Sequence, residues 1–265
     1  MAEFESYSPG TPCWVDLGTT DPEAARAFYA AVFGWDYDVG PPEAGEYTVA
    51  TVRGKPVAGL YAYGPEMEGT PPTWTMYLAT DDAAGCARRM EQAGGTVLAG
   101  PMQVMEEGAM AVVRDPSGAV VGLWQAGRHI GARVANEPGG FIWNELLTRD
   151  LQAARGFYVD VFGYDTDEMD VGAPTPYVVL KLADREIAGM MTTPPHVPEQ
   201  APSHWLTYFA VSDTDAAVAD VEKAGGQVMN GPNDSPYGRL AVVADPQGAV
   251  FTVIQSTPEG ASEGG

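Results

Sequence analysis

The chain has 265 residues, of which 45% are hydrophobic and 19% charged, a composition typical of a soluble globular protein. This length is sufficient for two domains of ordinary size. Its 14 Lys and Arg stand against 36 Asp and Glu, and the formal charge of -22 disfavours nucleic acid and membrane partners. The acidic start MAEFESYSPG carries no targeting pattern, and Cys13 and Cys86 lack metal-ligand spacing. We therefore expect a cytoplasmic protein with reduced, buried thiols.

An internal repeat organises the chain. AARAFYAAVFGWDYD, at 24–38, matches AARGFYVDVFGYDTD, at 153–167, and the register continues with Tyr47 against Tyr177 and Gly59 against Gly189. A repeat of this length predicts two equivalent structural units. We predict a first domain at 9–126, a linker at 127–139, a second domain at 140–256 and a disordered tail at 257–265.

The first half opens with a predicted strand at CWVDL, followed by a capping Asp21 and Pro22 at the first position of a helix that Gly34 ends. Three short strands follow, among them 47–51 and 55–61, with a turn between these two. The acidic residues directly after the helices are predicted to lie in solvated loops; they are Asp36, Asp38, Asp165 and Asp167.

The pattern then restarts with a strand at 74–80, a helix capped by Asp82 and ended by Gly94, and a hairpin that turns at 115–118. Each half is therefore predicted to contain two copies of one pattern: a strand, a helix and about three further strands. The predicted fold class is α+β, with four βαβββ modules. Helices are expected on one face of each curled mixed sheet and a cavity on the other.

Over residues 11–256 the chain resembles the vicinal oxygen chelate superfamily. The resemblance consists of the paired modules, the strand followed by Asp-x-x-x-A-x-x-F-Y, and the D-P-x-G hairpin. That superfamily includes glyoxalase I, extradiol dioxygenases and bleomycin- and fosfomycin-resistance proteins. GTPCWVDLGTTD, GLWQAGRHIGA and WNELLT are similar to segments of tandem-repeat mycobacterial antigens and of hydroxylase-like proteins from actinomycetes. The resemblance implies two glyoxalase-fold domains in tandem, each with a divalent metal held by His and Glu ligands.

The implied ligand positions carry other residues. The first-strand histidine aligns with Trp14 and Trp143, the fifth-strand ligand with Thr75 and Leu206, and the last-strand glutamate with Gly122 and Thr252. The histidines are His129 in the linker, His196 in a Pro-rich loop and His204 before a strand. We therefore expect no metal and no other cofactor.

Strand alternation predicts which side chains face each cavity. Asp16 and Glu145 are the tentative catalytic residues, and the predicted ligand-binding set is Trp14, Thr75, Tyr77, Gly122, Trp124, Trp143, Leu206, Tyr208 and Thr252. Aromatic walls with one carboxylate suit a planar organic molecule. Two alternatives stay open: the rings fill a core, or the carboxylates pair with Arg114, Arg128 or Arg149. Because Ile254 stands where the first half has Trp124, the first cavity is predicted to bind more strongly.

Two functions are compatible with this pattern. The first is metal-independent binding of a small hydrophobic or aromatic metabolite, for sequestration, resistance or an accessory role in its metabolism. The second is a glyoxalase-like lyase, or a hydroxylase or dioxygenase-type enzyme, in which Asp16 or Glu145 is the general base. We expect a monomer of two pseudo-equivalent domains, with a homodimer as the alternative.

Overall fold

Residues 3–170, 175–195 and 197–257 are described by a computed structural model of the chain. Within these ranges the chain forms two mixed eight-stranded sheets. The first contains β1 (Pro12–Thr19), β2 (Asp36–Val39), β3 (Thr48–Val52), β4 (Lys55–Ala62), β5 (Thr73–Ala79), β6 (Thr96–Val104), β7 (Gly108–Arg114) and β8 (Val120–Ala126), with helices α1 (Pro22–Phe33) and α2 (Ala83–Gln92).

The second sheet repeats the first. It contains β9 (Phe141–Thr148), β10 (Asp165–Met169), β11 (Tyr177–Leu182), β12 (Arg185–Thr192), β13 (His204–Ala210), β14 (Gln227–Ser235), β15 (Gly238–Ala244) and β16 (Val250–Ser256), with α3 (Leu151–Phe162) and α4 (Thr214–Lys223). The strand orders are β2-β3-β4-β1-β5-β8-β7-β6 and β10-β11-β12-β9-β13-β16-β15-β14, so neither sheet closes into a barrel. The predicted four βαβββ modules and two tandem domains are confirmed.

The helices begin and end where the sequence predicts. The Asp21 side chain accepts a hydrogen bond from the Ala24 backbone N–H at 3.0 Å, and Asp150 does the same for Ala153. Gly34 ends α1 with φ of 68°, a left-handed conformation that glycine adopts without steric cost. These caps fix the direction in which each helix leaves its strand.

The helices of the two halves pack against each other, α1 on α4 and α2 on α3. Tyr158 of α3 donates to Asp115 Oδ2 at 3.1 Å, while the other oxygen of Asp115 accepts from the turn of the first-half hairpin. Tyr29 of α1 donates to Asp245 Oδ2 at the equivalent place, also at 3.1 Å. The repeated Phe-Tyr and Asp-Pro motifs therefore tie each half to the other.

The segment predicted as a linker makes regular contacts with the first half. Ala132 donates its N–H to Cys13 O at 2.8 Å, and Arg133 donates to Pro56 O at 2.8 Å. Ladder pairing of β1 with β4 starts only at Asp16, so the linker lies between the unpaired beginnings of these two strands. It thereby closes this end of the first sheet.

One expectation about secondary structure is wrong. Asp36 and Asp38 lie in β2, and Asp165 and Asp167 lie in β10, each an edge strand rather than a loop. These acidic side chains are exposed, as predicted, and they alternate with the half-buried Tyr37 and Thr166. Charges on an edge strand discourage pairing with another chain, which gives the pattern a physical reason.

Other expectations have mixed outcomes. Cys13 and Cys86 are buried free thiols, as predicted. Residues 258–265 of the predicted disordered tail, and His196, lie outside the described residues. No helix in the described ranges is long and apolar enough to cross a membrane.

Candidate functional site

A hydrogen-bonded network lies on the face of the first sheet that points away from α1. Trp14 Nε1 donates to the Tyr47 hydroxyl at 2.8 Å, and that hydroxyl donates to Asp16 Oδ2 at 3.2 Å. Tyr77 stands opposite Trp14 in the β1–β5 register, and the Asp16 carboxylate lies beside it. We call these four residues the first site.

The same arrangement recurs in the second half. Trp143 Nε1 donates to the Tyr177 hydroxyl at 2.8 Å, and the Tyr208 hydroxyl donates to Glu145 Oε1 at 3.2 Å. Tyr208 pairs with Trp143 in the register, as Tyr77 does with Trp14. We call these four residues the second site.

Both carboxyls are buried and titrate near neutral pH. Burial raises the pKa of Asp16 from 3.8 to about 7, although its interactions with Tyr77 and Tyr47 act in the opposite direction. Burial raises the pKa of Glu145 from 4.5 to about 7, against the opposing effect of Tyr177 and Tyr208. A carboxyl with such a pKa can both accept and release a proton at neutral pH.

The tyrosines stay protonated beside these carboxyls. Burial and the neighbouring Glu145 charge raise the pKa of Tyr208 well above its ordinary value, and Tyr47 is affected in the same way by burial and by Asp16. Each hydroxyl therefore remains a hydrogen-bond donor whenever the carboxyl is ionised. Hydrogen bonds from these hydroxyls lower the pKa of the carboxyls, but burial raises it by more, so the net shift is upward.

The first site is filled by the chain itself. His129 stands edge-on to Trp14 with ring centroids 4.4 Å apart, and it also packs against Trp124 at 5.6 Å. Trp124 Nε1 donates to His129 O at 2.8 Å. Trp14, Tyr77 and Trp124 are 3%, 5% and 7% exposed. Trp124 lies on the same face of the sheet as Tyr77, and its indole packs against the linker.

The second site is more accessible. Trp143 and Tyr208 are half-buried, whereas their first-half equivalents are buried. Glu145 lies beneath them at 7% exposure. Ile254 occupies the position equivalent to Trp124, and it is buried. The contacts therefore favour the second site as the one that a ligand can reach, whereas the sequence favoured the first.

The residues present do not fit a metal ion of the kind that the resemblance implies. Gly122 stands at the expected glutamate position, and the Tyr77 ring crosses it so closely that any Cβ at 122 would overlap ring carbons. In the second half Thr252 and Leu206 pair with Tyr208 and Glu145 and offer no strong ligand. Across the described ranges no three His, Cys, Asp or Glu side chains are grouped so that they could hold a metal.

The predicted carboxylate partners differ from those observed. Arg128 forms an ion pair with Glu106, and Arg149 donates to Pro198 O at 2.7 Å, while tyrosines hold Asp16 and Glu145. Pairing of the carboxylates with these two arginines is therefore wrong. His204 lies at the start of β13 with its Nδ1 near Pro202 O, as expected of a strand-end histidine.

Three participants were not predicted: Tyr47, Tyr177 and the His129 ring. A signal for the tyrosines was present in the repeat, because a mid-strand glycine follows each at the same spacing. A Cβ at Gly59 would overlap the Tyr47 hydroxyl, and one at Gly189 would overlap that of Tyr177. The glycines therefore mark where a tyrosine crosses the sheet.

Comparison with known proteins gives consistent results. The family model described as Glyoxalase/Bleomycin resistance protein/Dioxygenase superfamily matches residues 13–123 and 140–253. CFP32 of Mycobacterium tuberculosis, provisionally named a glyoxylase, is 45% identical over 98% of this chain and 100% of its own length. The anthracycline biosynthesis protein DnrV of Streptomyces peucetius is 40% identical over 94% of each chain.

Solved structures share the fold at low identity. The Mn(II)-bound glyoxalase from Novosphingobium aromaticivorans is 18% identical with a TM-score of 0.64, covering 94% of this chain and 83% of that one. The 2,3-dioxygenase LapB from Pseudomonas sp. KL28 is 14% identical with a TM-score of 0.66, covering 96% of both chains.

Proposed function

Because the chain belongs to the glyoxalase/bleomycin resistance protein/dioxygenase superfamily, we propose that it is a metal-independent protein that binds a small planar aromatic molecule at the second site. The observation that carries the proposal is the repeated Trp, Tyr and carboxyl network around Trp14 and Trp143, the positions where the superfamily resemblance implies a histidine ligand. In the second half this network has two half-buried aromatic rings, Trp143 and Tyr208, above a buried carboxyl.

The chemistry of the second site suits such a ligand. The indole of Trp143 and the ring of Tyr208 can stack against an aromatic ligand. Each such aromatic pair stabilises the complex by about 0.5 to 1.5 kcal/mol beyond the effect of the buried area. Glu145 at the floor accepts a hydrogen bond from a ligand hydroxyl when ionised and donates one to a carbonyl when protonated. A hydroxyquinone presents both groups on a flat ring system.

The relatives support this ligand class. DnrV of Streptomyces peucetius and DauV of Streptomyces sp. strain C5 are named anthracycline biosynthesis proteins, and each is 40% identical to this chain. Anthracyclines are built on a fused, planar aromatic ring system. For this chain we propose a role in sequestering such a metabolite or in presenting it to an enzyme.

Titration calorimetry with a hydroxyanthraquinone tests the proposal. We expect one molecule bound per chain in the presence of a metal chelator, with Trp143→Ala and Glu145→Gln each weakening the affinity several-fold. Glu222→Gln, which alters an exposed carboxyl on α4, is the matched control. Binding that requires added metal, or that both second-site variants leave unchanged, contradicts the proposal.

A second function is favoured by the position of Glu145, a buried carboxyl that accepts a hydrogen bond from the Tyr208 hydroxyl and whose pKa is raised by burial to about 7. A general base works best with a pKa near the operating pH, so Glu145 could move a proton between adjacent carbons of a carbonyl substrate. Isomerisation of a methylglyoxal hemithioacetal, measured with a chelator present, tests this. Turnover that Glu145→Gln abolishes while the hydroxyanthraquinone fails to bind would favour the enzyme over the binding protein.

A further inference from the structure

One row of side chains differs between the two sheets at a single position. In the first sheet Tyr77 of β5 pairs with Gly122 of β8, and Gly122 pairs with a valine of β7. In the second sheet Tyr208 of β13 pairs with Thr252 of β16, and Thr252 pairs with a valine of β15. The two rows therefore match except that a threonine stands where the first half has a glycine.

The glycine leaves room for a tyrosine ring. A Cβ atom added at Gly122 would lie 2.2 Å from Cδ1 of Tyr77, 2.4 Å from its Cε1 and 2.5 Å from its Cγ. Non-bonded carbon atoms prefer separations of about 3.5 to 4.0 Å, so the ring occupies the space that a side chain would need. Tyr77 accordingly lies against β8 and is 5% exposed.

The threonine removes this room. Thr252 is 0% exposed, so its side chain does not turn away into solvent, and a β-branched residue has few rotamers to choose from. The Tyr208 ring therefore cannot lie against β16 in the way that Tyr77 lies against β8. It is half-buried instead, and its hydroxyl donates to Glu145 Oε1 at 3.2 Å.

Displacement from β16 gives Tyr208 two properties that suit the proposed ligand. Its ring keeps exposed surface for stacking, and its hydroxyl is anchored on Glu145. A ring that is held in place before the ligand arrives loses little conformational freedom on binding, which favours affinity.

We propose that Thr252 is a positioning residue of the second site, whose side chain holds the Tyr208 ring away from β16 and available to a ligand. The inference rests on the proposed function, because it concerns the same site. It gives a steric role to one of the positions where the superfamily resemblance implies a metal ligand. This role depends on the branched shape of the side chain and not on its hydroxyl.

Fluorine NMR of the chain labelled with 3-fluorotyrosine tests the position of the ring without any ligand. The difference in chemical shift between H2O and D2O reports how far each fluorine is exposed to solvent, and Tyr208→Phe and Tyr77→Phe assign the two resonances. In the unmodified chain this difference should be larger at Tyr208 than at Tyr77. Thr252→Gly, which installs the first-half residue, should lower it at Tyr208 to the value at Tyr77. Thr252→Val, which keeps the branched shape, should leave it unchanged.

Titration calorimetry with hydroxyanthraquinone tests the consequence for binding. Thr252→Gly should weaken the affinity about two- to twelvefold, the ratio that one aromatic pair gives. Thr252→Val should bind as the unmodified chain does, because the position of the Tyr208 ring is kept.

The proposal is overturned if the solvent isotope differences of Tyr208 and Tyr77 are equal in the unmodified chain, a comparison that does not depend on whether Thr252→Gly folds. It is also overturned if Thr252→Gly leaves the difference at Tyr208 or the affinity unchanged, or if Thr252→Val lowers either of them. Failure of the unmodified chain to bind hydroxyanthraquinone refutes the proposed function instead, and fluorine NMR then still decides whether Thr252 positions Tyr208.

Discussion

Replacing the two buried carboxyls by amides should reduce the loss of stability that the protein undergoes as the pH rises. Folding raises the pKa of Asp16 from 3.8 to about 7 and that of Glu145 from 4.5 to about 7. Because the folded state holds these protons more tightly, their effect on stability is most favourable below about pH 4 and is lost as the pH rises through about 7.

The magnitude follows from the size of each change in pKa. At about 1.36 kcal/mol per pH unit, full ionisation costs about 4 kcal/mol at Asp16 and about 3 kcal/mol at Glu145. Both side chains are under a tenth exposed, so solvent screening reduces these costs little. Between about pH 5 and about pH 8, each carboxyl should lower the free energy of unfolding by about 2.5 kcal/mol.

The assay is urea unfolding of the unmodified chain, Asp16→Asn, Glu145→Gln and the double variant across this pH range. Each amide variant should gain about 2.5 kcal/mol relative to the unmodified chain as the pH rises. The many surface carboxylates titrate in all the proteins, and the subtraction removes their effect. Glu222→Gln is the matched control. A difference that stays constant with pH refutes the reasoning that burial raises these pKa values.

The remaining predictions concern other contacts. His129→Ala should vacate the space between the first-half indoles and raise hydroxyanthraquinone stoichiometry from one to two per chain in calorimetry; a value that stays at one contradicts the view that His129 fills the first site. Tyr158→Phe should lower stability by about 1 to 3 kcal/mol in urea unfolding, because Asp115 loses a donor from the opposite half. Gly59→Ala should destabilise by about 1 to 3 kcal/mol through overlap with a tyrosine hydroxyl, whereas Gly156→Ala, in open space on α3, should stabilise by about 0.5 to 1 kcal/mol. Added Mn(II) or Zn(II) should leave the melting temperature unchanged, whereas a site occupied at about 100 times its dissociation constant would add about 2.7 kcal/mol.

Much of the fold was predictable because its signals are local and occur twice. Asp21 before Pro22, and Gly34 at the helix end, specify α1 through hydrogen bonds within a single turn. The edge strand at Asp36 was missed because tertiary pairing with β3 overrides the weak strand propensity of aspartate.

The site was predictable only in part. Alternation along β1 and β9 placed Trp14 with Asp16, and Trp143 with Glu145, on one face because the side-chain period of a strand is two. The entry of His129 between two indoles depends on the path of the linker over the sheet, which no local pattern in GRHIGARVANEPGG specifies. For this reason the sequence favoured the first half and the contacts favour the second.

The most direct test of the account is a crystal structure of the chain with hydroxyanthraquinone, grown in the presence of a metal chelator. We expect electron density for the ligand against Trp143 and Tyr208, with an oxygen within hydrogen-bonding distance of the Glu145 carboxyl and His129 still between Trp14 and Trp124. Ligand density confined to the first site, or a metal ion between the ligand and either carboxyl, would contradict the account.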